Sequence, residues 1–318
     1  VLEKGVNNMP GIWIFSEDNA VTRQLITAGR QLKGVMSEAI GVLTLEGTEA
    51  DTFIAAGADK VIVIKSGAVW PESYASTISD IASQEGISVL LIGGTSRGKD
   101  MAATIAARLK AGLVTEAQSV NFIDGHIVTT RLMYGGLAVS TEAVALPALV
   151  TVAPQTFEEA VQDAGTGGEI ITTEAAIADE RVSVSNVCPI EKAGADIAVA
   201  SRIVCVGRGL VQEEDLTLVE NLAKAVGGEV ACTRGIAEDY HWLPVEKYIG
   251  ISGQKVKPEL YLSLGVSGQV QHVAGIRDSK IIVAIDSNEK APIFEAADYG
   301  IVGDLYEIAP LLIKAFNK

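Results

Sequence analysis

Through the first third of the chain, short apolar runs alternate with segments of helical periodicity. Ile12 to Phe15, Ala39 to Leu45, Lys60 to Ile64 and Ser88 to Ile92 are strand-length and largely apolar. Such runs suit strands buried on both faces of a sheet. Between and after them, Ala20 to Leu32, Glu49 to Ala56, Ser73 to Gln84 and Asp100 to Lys110 read as amphipathic helices. This β-α-β-α rhythm predicts a doubly wound parallel sheet.

The rhythm then changes. Ser119 to Ile123, Ile127 to Met133, Leu137 to Thr141 and Ala148 to Val152 read as strands with no helices between them, and Asp124-Gly125 is a hairpin turn signal. Antiparallel hairpins are therefore added to the parallel sheet. From Pro154 to about Glu180 the chain turns polar, with glycines at Gly167 and Gly168, which predicts an extended connection. A second β-α-β unit comes next: a strand at Ile203 to Val206, a helix at Asp215 to Val226, strands at Leu260 to Leu264 and Ile281 to Ile285, and a closing helix at Tyr306 to Phe316. The expected class is α/β in two domains, 1–190 and 191–318, the second also built on a parallel sheet.

A length of 318 residues allows each domain its own core. Hydrophobic content of 48% and mean hydropathy of +0.30 describe a folded chain. No run approaches the roughly eighteen apolar residues of a membrane span. The opening V-L-E-K-G-V-N-N-M-P has neither the apolar core of a secretory signal nor an Arg-rich amphipathic character, so a cytoplasmic location is expected. A formal charge of -15 argues against nucleic acid as a partner. Cys188, Cys205 and Cys232 are far apart, and His126 and His241 stand away from them, so neither a disulfide framework nor a metal site is expected.

Leu260 to His272, L-Y-L-S-L-G-V-S-G-Q-V-Q-H, carries the sharpest chemical signal. A strand ends in Gly265 and Gly268, which allow positive φ and close approach to a bulky anion, with Ser267, Gln271 and His272 positioned to present polar groups. His272 reads equally as a ligand-facing residue or a satisfied buried histidine. Gly93 to Asp100, G-G-T-S-R-G-K-D, approaches a P-loop, but Asp100 stands where a Mg²⁺-binding hydroxyl is needed, and a structural strand-to-helix turn capped by Asp100 is favoured. Gly207-Arg208-Gly209 also comes after a strand, yet Gln212 replaces the third glycine of a dinucleotide fingerprint; a phosphate-facing turn remains, with Arg208 near a helix N-terminus. Ser252, Ser267, His272 and Asp304 include triad residue types, but neither serine lies in G-x-S-x-G.

Taken in order, G-R-G-L from Gly207, Y-I-G-I-S-G from Tyr248, G-V-S-G-Q-V-Q-H from Gly265, A-P-I-F from Ala291 and A-D-Y-G-I-V-G-D from Ala297 resemble the flavin domain of the electron transfer flavoprotein alpha subunit, from Arg202 to about Phe316. The resemblance implies FAD as cofactor and assigns its contacts. Arg234 would lie against the isoalloxazine ring, Ser252 would hydrogen-bond N5, and His272 would stand near the N1 and O2 side. Ser267, Gly268, Gln269, Val270 and Gln271 would wrap the pyrophosphate and ribityl chain, with Arg208 as a further cation. Asp286 and Asp304 would face the adenosine half, and Thr233, Ile249, Gly250, Ile251 and Leu305 complete the set. Ile251 stands where many members carry Gln, Ser252 where many carry Thr, Thr233 where Ser is common, and Asp286 where Asn is common.

R-G-K-D-M-A-A from Arg97 and M-Y-G-G-L-A from Met133 resemble the same family, in its bacterial branch associated with anaerobic acyl-CoA or carnitine metabolism. The resemblance implies a heterodimer with an electron transfer flavoprotein beta subunit, held by the first domain. It also implies electron exchange with an acyl-CoA dehydrogenase and no organic substrate of the chain's own. A bifurcating variant would add a second FAD in the partner, NADH and ferredoxin. The competing reading is a nucleotide-binding regulatory or scaffold module without redox chemistry.

Overall fold

The computed structural model describes residues 11–45, 49–65, 70–163, 165, 167–175, 184–186, 188 and 196–317. The chain divides into two compact units, residues 1–187 and 188–318. The first is built on β1 (Gly11–Phe15), α1 (Asn19–Met36), β2 (Ala39–Leu45), α2 (Ala50–Ala55), β3 (Lys60–Lys65), α3 (Ala75–Glu85), β4 (Val89–Gly93), α4 (Ser96–Leu109), β5 (Gly112–Ile123), β6 (His126–Met133), β7 (Ala138–Ala145), β8 (Ala148–Val152) and β9 (Glu169–Glu174). Among the described residues these strands form one sheet in the order β7-β6-β5-β8-β4-β1-β2-β3-β9. All neighbours are parallel except β5–β6 and β6–β7, which form the expected antiparallel addition.

The composition of β1 explains the layering. Ile12 and Ile14 enter a core with Leu25 of α1 and Phe53 of α2, whereas Trp13 and Phe15 enter another with Ile78 of α3 and Ile105 of α4. Alternate side chains point to opposite faces, so a wholly apolar strand needs helices on both sides. Trp13 is fully buried and lies over Gly41 of β2, where an added Cβ would come within 2.5 Å of its ring. Helix α1 begins at Asp18, whose carboxylate accepts from the N–H groups of Ala20 and Val21. The β5–β6 turn uses Asp124 (φ +49°) and Gly125 (φ +78°), the left-handed pair that a two-residue hairpin favours.

Two expectations for this unit are corrected. Helix α4 starts at Ser96, and its cap is Thr95, whose hydroxyl accepts from the Gly98 N–H at 2.9 Å. Asp100 lies inside the helix. Thr95 donates in turn to Glu17 at 2.5 Å. Gly98 is required for packing, since a Cβ there would lie 1.9 Å from the Gly93 carbonyl oxygen. The expected extended connection also contains β9, which pairs in parallel with β3 at the sheet edge.

The second unit comprises β10 (Arg202–Val206), α5 (Leu216–Val226), β11 (Glu229–Cys232), β12 (Leu260–Leu264), α6 (Val270–Val273), β13 (Ile282–Asp286), α7 (Ile293–Ala296), β14 (Tyr299–Val302) and α8 (Leu305–Phe316). Its strands are parallel in the order β11-β10-β12-β13-β14. Helix α5 buries Val219, Leu222, Ala223 and Val226, one stripe at helical spacing, and ends at Gly227 in the left-handed region. Because β10 is flanked by β11 on one side and β12 on the other, successive connections leave it in opposite directions. A crevice opens at the carboxyl ends of strands at such a switch point. Among the described residues, no helix is long and apolar enough to cross a membrane.

A buried ion pair supports the first unit. Lys60 Nζ and Glu85 Oε1 are 2.8 Å apart with side chains only 2% and 4% exposed, and the ammonium lies 5.9 Å from the centroid of the Trp13 ring. Removing one partner of such a pair strands a charge in the interior. Glu85→Ala is expected to lower stability by about 3–5 kcal/mol, read by denaturant unfolding, and Lys60→Met with Glu85→Leu to cost far less. Equal losses in the two proteins would contradict this account.

Candidate functional site at the strand ends of the second unit

The loops leaving the carboxyl ends of β10 to β14 surround a cavity of about 840 Å³. That lies toward the upper end of the roughly 300–1,000 Å³ of small-molecule and cofactor sites. In sheet order the lining runs from Thr233, Arg234 and Gly235 after β11, to Gly207, Arg208 and Gly209 after β10, then Gly265 to Gln269, Gln271 and His272 after β12. Asp286 and Ser287 line it at the end of β13, and Gly303 to Tyr306 after β14. With neighbouring strands about 4.8 Å apart, five strand ends span about 19 Å. Guanidinium groups belong to the β11 and β10 loops, and the Asp286 and Asp304 carboxylates to the β13 and β14 loops.

The glycines bring protein loops together. Gly209 N–H donates to the Gly265 carbonyl at 3.0 Å, and Gly207 N–H donates to Leu264 at 3.0 Å. A Cβ on Gly209 would lie 2.5 Å from Gly265 Cα, and one on Gly265 (φ +59°) would lie 2.6 Å from Gly209 Cα. Gly268 (φ +77°) packs against α7, where a Cβ would fall 2.2 Å from the Ile293 nitrogen, and that N–H donates to Ser267 at 3.0 Å. Gly265 and Gly268 adopt the expected positive φ and line the cavity. Their first task is contact between backbones.

The polar residues have definite partners. Arg234 is exposed and ion-paired with Glu238, which holds its pKa above the ordinary arginine value. Ser252 shares a hydrogen bond with Tyr248, and its loop is stitched down by the Ile251 N–H donating to Gln271 at 2.9 Å. The His272 ring is buried, with Nε2 against the Tyr261 hydroxyl at 2.7 Å and Nδ1 against the Ile249 carbonyl at 3.0 Å. Burial lowers its pKa to about 4, against an opposing contribution from the Ile249 hydrogen bond. Asp304 caps α8 by accepting from the Tyr306 N–H, and Asp286 accepts from Asn288. The N-terminus of α5 is approached through a short turn of Glu213, Glu214 and Asp215, and the Asp215 carboxylate is taken by Tyr306. Arg208 lines the cavity, and its side chain lies along Gly235.

Of the residues singled out from sequence, Val270 alone does not line the cavity. Tyr248, Asp239 and Tyr306 line it without having been singled out. Tyr306 reaches back from α8, donating to Asp215 at 2.6 Å and accepting from the Val211 N–H at 2.8 Å, so it clasps the loop after β10. Burial, and next the Asp215 bond, raise its pKa. The available signal is its place two residues after Asp304, the capping residue of α8.

Comparison with known proteins matches the sequence to a family. Residues 13–178 match the family model described as the electron transfer flavoprotein domain, and residues 196–277 match the electron transfer flavoprotein FAD-binding domain. The loops after β13 and β14 lie beyond the second match. The chain is 36% identical over 327 aligned residues to Protein FixB of Escherichia coli O9:H4 (strain HS) and of Shigella dysenteriae serotype 1 (strain Sd197), with 98% of this chain and 100% of each relative covered. Protein FixB of Escherichia coli O157:H7 is 36% identical over 317 residues, with the same coverage. This chain therefore belongs to the electron transfer flavoprotein alpha-subunit family, and its second unit carries that family's FAD-binding domain.

Proposed function

We propose that this chain is the FAD-carrying half of a cytoplasmic heterodimer, in which residues 1–190 hold the beta subunit and residues 191–318 hold the cofactor at the five strand ends. Electrons pass between that cofactor and an acyl-CoA dehydrogenase. The carrying observation is the order of charge along the sheet, with two arginines on the β11 and β10 loops and two aspartates on the β13 and β14 loops. An extended dinucleotide with its ring system over Arg234 and Ser252, its diphosphate over the β10 and β12 loops and its adenosine over Asp286 and Asp304 fits that order.

When bound, FAD supplies the capacity to take up and release electrons. The chain's own groups set the conditions for it. Arg208 and the N–H groups of the Ser267 to Gln271 loop offset phosphate charge in an acidic protein. Arg234 places a permanent cation where negative charge collects, which favours the reduced cofactor by Coulomb attraction. Its pairing with Glu238 attenuates that effect. Asp286 and Asp304 offer acceptors for ribose hydroxyls or adenine. No side chain is asked to form a bond with an organic substrate.

FAD extracted from the chain co-expressed with its beta subunit should amount to one per heterodimer for a simple carrier. Two would select the bifurcating form, in which a second FAD in the partner takes hydride from NADH and divides the electrons between ferredoxin and the dehydrogenase. None, after supplying excess FAD, would contradict the assignment. In redox titration of the loaded heterodimer, Arg234→Ala should lower the flavin potential and Glu238→Gln should raise it; shifts of the same sign would contradict the role given to Arg234. Gly209→Ala should weaken FAD binding at least tenfold, about 1.4 kcal/mol, because its Cβ forces the two loops apart; unchanged affinity would contradict the need for that contact.

A further inference from the structure

Behind His272 stands a residue that does not line the cavity. Tyr261 of β12 is fully buried, and its hydroxyl lies 2.7 Å from His272 Nε2. The other ring nitrogen, Nδ1, is 3.0 Å from the Ile249 carbonyl oxygen. A carbonyl can only accept, so Nδ1 carries the proton; burial disfavours a second proton on the ring, and Nε2 of the neutral form accepts from the tyrosine O–H. Both nitrogens are held by the protein, from two different elements.

We infer that Tyr261 is a positioning residue for the flavin site, its hydroxyl holding the His272 ring in one orientation and presenting it to the cofactor as a neutral imidazole. The inference rests on the placement of FAD in this cavity. Donation into Nε2 stabilises the form lacking a proton there. Burial acts in the same direction on His272, and burial keeps the Tyr261 hydroxyl protonated. The ionisable groups meeting Tyr261 from neighbouring strands are the thiols of Cys205 on β10 and Cys232 on β11, both held protonated by burial. The charged groups on the cavity wall are Arg208, Arg234, Asp239, Asp286 and Asp304. They come from other loops, and none of them holds the ring. A negative charge arriving on the cofactor therefore meets a neutral imidazole whose protonation requires the Tyr261 O–H to turn away from Nε2. A buried tyrosine that only filled the core would contribute packing and no such control.

The test uses the FAD-loaded heterodimer, in the wild type, Tyr261→Phe, His272→Ala and the double variant. His272 is followed by ¹⁵N NMR across pH, and the flavin midpoint potential by titration at each pH. Loss of the donor to Nε2 should move the His272 titration upward in pH, with the pH dependence of the potential following. In the His272→Ala background, Tyr261→Phe should produce no further change in potential. An unaltered His272 titration and potential in Tyr261→Phe, or equal shifts in both backgrounds, would overturn the inference. Should Tyr261→Phe fail to fold, the wild-type spectrum decides: a proton on Nδ1 with Nε2 accepting a hydrogen bond is required, and a proton on Nε2 at neutral pH overturns it. Extracted FAD is quantified in parallel, because wild-type protein lacking FAD would contradict the cofactor assignment and leave the His272 geometry to be judged by NMR alone.

Discussion

No side chain fits between the loop that leaves β10 and the loop that leaves β12. Gly207 and Gly209 donate backbone hydrogen bonds to Leu264 and Gly265, and an added Cβ on Gly207, Gly209 or Gly265 would fall within 2.3–2.6 Å of the opposing backbone. The rest of the site depends on this contact. It lies at the switch point of the sheet, where the chain's connections diverge and would otherwise leave a gap. Closing the gap with backbone turns it into a floor, from which Arg208 and Ser267 are carried on turns of fixed geometry. Tyr306 secures the same floor from α8 through Val211 and Asp215, and Gly268 repeats the device against Ile293. Loops that pack on each other before any ligand arrives need less ordering when it binds, which preserves binding energy.

A chain of net charge -15 that holds an anionic dinucleotide has to concentrate its cations locally. Long-range repulsion is screened over about 8–10 Å at ordinary ionic strength, so the charge at the cavity wall decides the matter. There the arginines belong to loops on one side of the β12 loop, with Asp239 beside them, and Asp286 and Asp304 to loops on the other. Arg208 and Arg234 are the cations on that wall, and burial lowers the pKa of His272 beside them.

Much of this is legible in the sequence, for physical reasons. Strands such as β1, β4 and β12 announce themselves because both faces are buried and the runs are unbroken. Strand β9, Glu169–Glu174, has no such run, because it lies at the sheet edge with its side chains exposed or half-exposed. Strand β14 is exposed along its whole length and hides inside a motif. Asp100 reads as the cap of α4 because the G-x-x-x-x-G-K pattern draws attention to the residue after the lysine, whereas Thr95 does the capping. Site residues are legible in blocks, as motif letters clustered at strand ends. Their reasons are not: the clash that demands glycine at 209 is with residue 265, and the partners that hold the His272 ring are 11 and 23 residues distant. Such long-range pairings are set by the tertiary fold, which local pattern does not contain.

The site as proposed has FAD across the carboxyl ends of β10 to β14. Hydrogen–deuterium exchange of the heterodimer with and without FAD maps that footprint directly. Added protection is expected in the segments around Gly207 to Val211, Thr233 to Gly235, Ile249 to Ser252, Gly265 to His272 and Gly303 to Tyr306. Protection confined to residues 11–163, or absent from the Gly265 to His272 loop, would contradict it.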